Sequence, residues 1–137
     1  MKFYEALFML QRYPQAYFIE CVEDDSWFPY VYTKDTEGNF RGTHLVNALR
    51  GNQGQRLSFG GLNADYTQKL LKDREFELCY SYEGLFSIFI RLSQKSRWPH
   101  NHTEVEEMLK LATRKGKVTK ESAEELLNRY KQGVPNV

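Results

Sequence analysis

Glu75-Phe76-Glu77-Leu78-Cys79-Tyr80-Ser81-Tyr82, followed by Glu83-Gly84 and then Leu85-Phe86-Ser87-Ile88-Phe89-Ile90-Arg91-Leu92, is the stretch whose reading decides the fold. Its first part alternates Phe76, Leu78 and Tyr80 against Glu77, Cys79 and Ser81, the period of a strand with two unlike faces. Glu83-Gly84 suits a tight hairpin turn. The β-branched and aromatic content of 85–92 then predicts a return strand, while Leu85, Phe89 and Leu92 also fit a helix.

Upstream the period changes several times. Phe3 to Tyr13 reads as a helix, with Phe3, Ala6, Leu7 and Leu10 on one face and Phe8 and Met9 widening it. Pro14 stops that helix, because the residue before a proline is pushed out of the α region. Gln15 to Val22 and Trp27 to Thr33 read as strands around an acidic turn. Pro29 lacks a ladder donor, so the second strand lies at an edge or begins after it. Thr43 is read as the cap of a short helix over Leu45, Val46 and Leu49, stopped by Gly51. Gln55 to Phe59 is a short strand, and Asn63 caps a helix to about Asp73.

Downstream, 93–102 reads as a linker with Trp98 as an anchor. Thr103-x-x-Glu106 has the pattern of a capping box, opening a helix with Val105, Met108, Leu109 and Ala112 inward. Gly116 closes it. Thr119 caps a last helix that turns Ala123, Leu126, Leu127 and Tyr130 inward, with Val118 as a staple. The expected fold is α+β: an N-terminal helix, a four- to five-stranded mainly antiparallel sheet with an embedded helix, and a C-terminal helical hairpin. Residues 1–95 form the expected sheet domain. Residues 96–137 form the linker and hairpin, packed on the same domain or on a partner subunit.

Length and composition narrow the functional classes. The 137 residues suit one core without staples. Lys plus Arg number 19 against 18 Asp plus Glu, which lacks the dense positive charge that duplex DNA selects. No apolar run reaches the length of a membrane span. With no signal-peptide pattern at the start, Cys21 and Cys79 are expected as free thiols in a reducing cytoplasm. Nine Phe, nine Tyr and two Trp are more rings than a small core calls for, so some are expected on a contact surface.

No motif of catalysis frames a nucleophile: the sequence has no G-x-S-x-G elbow, phosphate loop or H-E-x-x-H. His100, His102 and Glu104 lack a standard zinc spacing and read as a linker before a helix cap. No cofactor or metal is therefore expected, and no enzyme. The glycine-rich stretch 51–61, flanked by Arg50 and Arg56, offers backbone amides and guanidinium groups to an anion. Trp27, Tyr30 and Phe59 offer rings to a base. These five residues are the expected ligand site. The Glu20–Asp25 strip and the C-terminal hairpin are alternative protein-contact surfaces.

Phe3-Tyr4-Glu5-Ala6-Leu7 opening a short helix, aromatic strands with Trp27, and Leu70-Leu71-Lys72-Asp73-Arg74-Glu75-Phe76-Glu77 together resemble small phage Thoeris anti-defence proteins, which act as sponges for cyclic ADP-ribose-type signals. The resemblance covers residues 1–80 and departs from the family at Phe76, where the family has Trp. It implies a non-catalytic, phage or mobile-element protein that sequesters a nucleotide-like signal. The alternatives are an inhibitor or adaptor on a host protein, and a binder of single-stranded nucleic acid, which the neutral charge disfavours. A homo-oligomer is allowed for by the amphipathic hairpin.

Overall fold

A computed structural model describes residues 1–13, 15–20, 30–34, 37, 39–51, 55–56, 74–96 and 99–134. It contains an N-terminal helix, an antiparallel sheet and C-terminal helices, a mixed α+β chain. Two compact units divide between Tyr80 and Ser81. The segment after the last strand is helical and groups with the helices beyond it.

In the first unit, α1 runs Phe3–Arg12. Its rotation is set by Phe3, Ala6 and Leu10, which are buried at the i, i+3, i+7 spacing of one helix face. Glu5 Oε1 accepts from the Lys2 backbone amide at 3.0 Å, satisfying a donor at the helix start. The helix ends at Arg12, ahead of Pro14, as the sequence predicts.

The sheet has strands β1 (Tyr17–Glu20), β2 (Tyr30–Lys34), β3 (Phe40–His44), β4 (Gln55–Arg56) and β5 (Phe76–Cys79). Their order is β4-β3-β2-β1-β5, and every neighbouring pair is antiparallel. Phe18 stands opposite Tyr32 on one side and Leu78 on the other, so these three share a face. Phe3 from α1 meets that face. Its ring lies 6.1 Å from Phe18, 5.9 Å from Tyr32 and 5.4 Å from Phe76, and Phe18 stacks on Tyr32 at 4.8 Å. Each buried large apolar side chain stabilises by about 1.5–3 kcal/mol, so this ring cluster anchors the unit. Ile19, Val31 and Thr43 are buried on the opposite face. Helix α2 (Leu45–Leu49) packs beside β2 and β3, with Leu45 and Leu49 buried.

Strand β2 is an inner strand, described from Tyr30 on; Pro29 and the rest of the expected strand's start lie outside the described residues. Strand β3 is a departure from expectation. Thr43 is a buried strand residue and His44 precedes α2 as its N-cap, so Thr43 caps nothing. Gly51, at φ +83°, does end the α2 turn, in the region where a side chain is strained. The expected helix at 63–73 lies outside the described residues.

In the second unit, 85–92 is helix and not the return strand of a hairpin. Helix α3 (Tyr82–Lys95) starts where Ser81 Oγ accepts from the Gly84 amide at 3.1 Å. Glu83-Gly84 is therefore a first helical turn. Tyr82, Leu85, Phe86, Phe89, Ile90, Leu92 and Ser93 are buried, a wide helical stripe that the short aromatic run disguises as strand. Helix α4 (His102–Arg114) is capped by Asn101, whose Oδ1 accepts from the Glu104 amide at 2.8 Å while Nδ2 donates to Glu104 Oε1 at 3.0 Å. The cap lies two residues before the expected Thr103, because the amide side chain both accepts and donates here. Helix α5 (Lys120–Gly133) is capped by Thr119 as predicted.

Gly116, at φ +71°, closes α4: the Lys117 amide donates to the Ala112 carbonyl and the Gly116 amide to the Thr113 carbonyl. Phe89 of α3 and Tyr130 of α5 stack in parallel with centroids 5.8 Å apart. The Tyr130 hydroxyl donates to the His100 carbonyl, and His102 Nε2 donates to the Val134 carbonyl at 2.7 Å. These two bonds tie the segment before α4 to the end of α5.

Candidate functional site

Because Phe3, Ala6 and Leu10 fix which side of α1 meets the sheet, Tyr4, Glu5 and Phe8 face outward. Tyr4 is 72% exposed and Phe8 63%, one turn apart on the outer face. Phe8 therefore does not widen the buried stripe. Arg12 follows one turn later, its guanidinium carbon 5.7 Å from the centroid of the Tyr13 ring. Tyr13, 42% exposed, meets the edge of Tyr80, 63% exposed, with centroids 6.3 Å apart. Tyr80 follows the last residue of β5. The outer face of α1 thus carries Tyr4, Phe8 and Arg12, and Arg12, Tyr13 and Tyr80 meet where the helix ends beside the sheet's edge strand.

Rings left in water at this density are a cost that a partner removes. Tyr, Phe and Arg are also the side chains enriched where proteins touch. The outer face of a helix is convex. Small-molecule sites are concave and enclose most of their ligand, so the shape suits a macromolecular surface.

The expected ligand residues have other settings. Tyr30 is half-buried in β2, its hydroxyl donating to the Gly42 carbonyl at 2.9 Å. Its ring packs 5.0 Å from Tyr32 and 5.2 Å from His44. A Cβ on Gly42 would lie 2.5 Å from Tyr30 Cε1, so the glycine makes room for this ring. Arg50 is exposed just past α2. The backbone of Arg56 lies in β4 opposite Arg41. Trp27, Phe59 and the Arg56 side chain lie outside the described residues, as do Cys21 and the turn at 23–26. Tyr30 and Arg50 stand on separate elements, β2 and the end of α2.

The histidine cluster is engaged in helix architecture. His100 Nδ1 is 3.0 Å from Glu104 Oε2, and His102 bonds Val134 as above. Among the described residues, no group of three or more His, Cys, Asp or Glu is placed to hold a metal ion, and no helix is long and apolar enough to cross a membrane. Burial pushes the Tyr130 hydroxyl up to about 12. Burial also raises Tyr17, with the Cys79 thiol opposite it on β5 adding to the effect. The Lys2 ammonium, hydrogen-bonded to Glu75, holds that carboxyl below its ordinary value.

The outer face of α1 escapes a simple reading of apolar periodicity, which scores Phe8 as core. Its signal is the i, i+4, i+8 spacing of Tyr4, Phe8 and Arg12, out of phase with Phe3, Ala6 and Leu10. No family model matches the chain, and neither a curated protein nor a solved structure matches it.

Proposed function

We propose that this chain is a non-catalytic binding protein whose partner is another protein, held on the outer face of α1 and the adjoining end of β5. The observation that carries this reading is the outward placement of Tyr4, Phe8, Tyr13 and Tyr80 around Arg12. Of the readings open from sequence, the protein-contact one suits a convex aromatic surface better than the enclosure of a nucleotide.

Two rigid, amphipathic Tyr side chains at one end of the face offer apolar area with a hydroxyl that stays hydrogen-bonded at a wet rim. The charged residue within it, Arg12, is of the type most often central to such contacts. Native mass spectrometry of the full chain purified from its cells tests this. The wild type is expected in complex with protein, whether a copy of itself or another chain. Tyr4→Ser/Phe8→Ser, with unchanged circular dichroism, is expected alone. Identical masses for the two overturn the reading.

A further inference from the structure

We infer that the partner on this face is a second copy of the chain, with two α1 helices packed antiparallel about a two-fold axis. The inference rests on the reading of α1 as a contact surface and adds the identity of its occupant.

A two-fold contact is self-complementary: what residue i does to residue j of the copy, j does to i. Antiparallel helices meet that condition when residues equally far either side of the axis complement each other. On α1 the exposed acidic residue is Glu5, in the first turn, and the exposed basic residue is Arg12, in the last. They are separated by seven residues, two turns, and so stand on the same side of the helix. Their midpoint falls between Phe8 and Met9. An axis there sets Glu5 of each copy against Arg12 of the other, twice over, and sets Phe8 against Phe8 at the centre. The same axis brings Tyr4 to the level of the copy's Tyr13, an exposed ring just past the end of its α1. Glu5 keeps an oxygen for this contact, because its bond to the Lys2 amide uses Oε1 alone. Opposed helix dipoles favour the same orientation.

The chemistry also sets the strength. A helix of ten residues is about 15 Å long, so the contact falls short of the ~800 Å² per partner of a standard interface. The pair is therefore a concentration-dependent equilibrium rather than an obligate dimer. Exposed ion pairs are individually weak, but each reversal here is felt twice and replaces attraction by repulsion.

Sedimentation equilibrium of the full chain over a wide concentration range tests the pairing. The wild type is expected to show a monomer–dimer equilibrium. Glu5→Arg alone and Arg12→Glu alone are each expected to weaken it about tenfold. An equimolar mixture of the two variants is expected to recover wild-type association, because the mixed pair restores both charge contacts. Phe8→Lys, at an exposed position that folding does not need, is expected to abolish association and serves where a charge reversal disturbs α1 by circular dichroism. A wild type that stays monomeric throughout overturns the pairing and leaves the contact-face reading standing. A dimer indifferent to Phe8→Lys and to mixing overturns both.

Discussion

Tyr13 and Tyr80 meet edge to face, their ring centroids 6.3 Å apart, joining the end of α1 to the end of β5 while both remain exposed. Ring pairs of this geometry gain about 0.5–1.5 kcal/mol beyond their area. The pair therefore holds its own shape before any partner arrives, and the Arg12 guanidinium carbon lies 5.7 Å from the centroid of the Tyr13 ring. Preorganised rings lose little freedom on binding, which is why such a pair suits a contact surface.

That pair makes a first prediction. Tyr80→Ala and Tyr13→Ala are expected to leave the thermal midpoint within a few degrees, since neither ring is in the core, while each weakens association. A double-mutant cycle on association is expected to show coupling of about 0.5–1.5 kcal/mol. Strict additivity would separate the two rings and count against a shared surface.

Gly42 and Tyr30 make a second. Gly42→Ala places a Cβ where the Tyr30 ring now lies. It is expected to cost about 1–3 kcal/mol in urea unfolding, the range for an overpacked site. Combining it with Tyr30→Ala relieves the clash, so the two costs should not add. Tyr30→Phe keeps the ring and loses only the bond to the Gly42 carbonyl, costing about 1 kcal/mol.

Ser81 supplies a third. Ser81→Ala removes the oxygen that caps α3 and is expected to cost about 1 kcal/mol. Ser81→Asp, which caps equally well and complements the helix dipole, should retain stability. If 82–95 were a strand, neither substitution would matter in this order, so chemical denaturation of the two variants checks the helix directly.

The fourth concerns pH. Burial favours the neutral Tyr130 hydroxyl, raising its pKa from 10.0 to about 12 in the folded chain. The folded state thus binds its proton more tightly than the unfolded chain does. The stability this supplies is complete below the unfolded value near 10 and is lost as pH rises from there through about 12. Urea midpoints measured across that window should fall for the wild type. Tyr130→Phe keeps the stack on Phe89, lowers stability by about 1 kcal/mol at neutral pH through the lost bond to His100, and should flatten the alkaline fall.

Where one physical signal dominates, sequence and structure agree. Phe3, Ala6 and Leu10 announce α1 because a helix with one wet side repeats its apolar residues at 3.6. Phe76 to Tyr80 announces β5 because the alternation is clean. Gly116 and Thr119 mark the turn between α4 and α5 because a left-handed residue and a hydroxyl cap each have few other uses. Strand β3 is hidden for a reason visible only in three dimensions. Gly42 and His44 lower its strand character, and the glycine is there for the ring of Tyr30 on the next strand. Helix α3 is hidden because it buries so wide a stripe that its apolar run loses period. The candidate face was half legible. A surplus of rings pointed to a surface, but which rings reach it depends on the rotation of α1, and that is fixed by Phe3 packing against Phe18, Tyr32 and Phe76.

The outward aromatic face is most directly tested by placing a photo-crosslinking side chain, Phe8→p-benzoylphenylalanine, in the full chain and irradiating intact cells. Glu125, exposed on α5, serves as the control position. A discrete protein adduct at position 8, lost when Tyr4→Ser is added and absent at position 125, is the predicted result. Crosslinking at position 8 no greater than at position 125 would contradict a contact surface on α1.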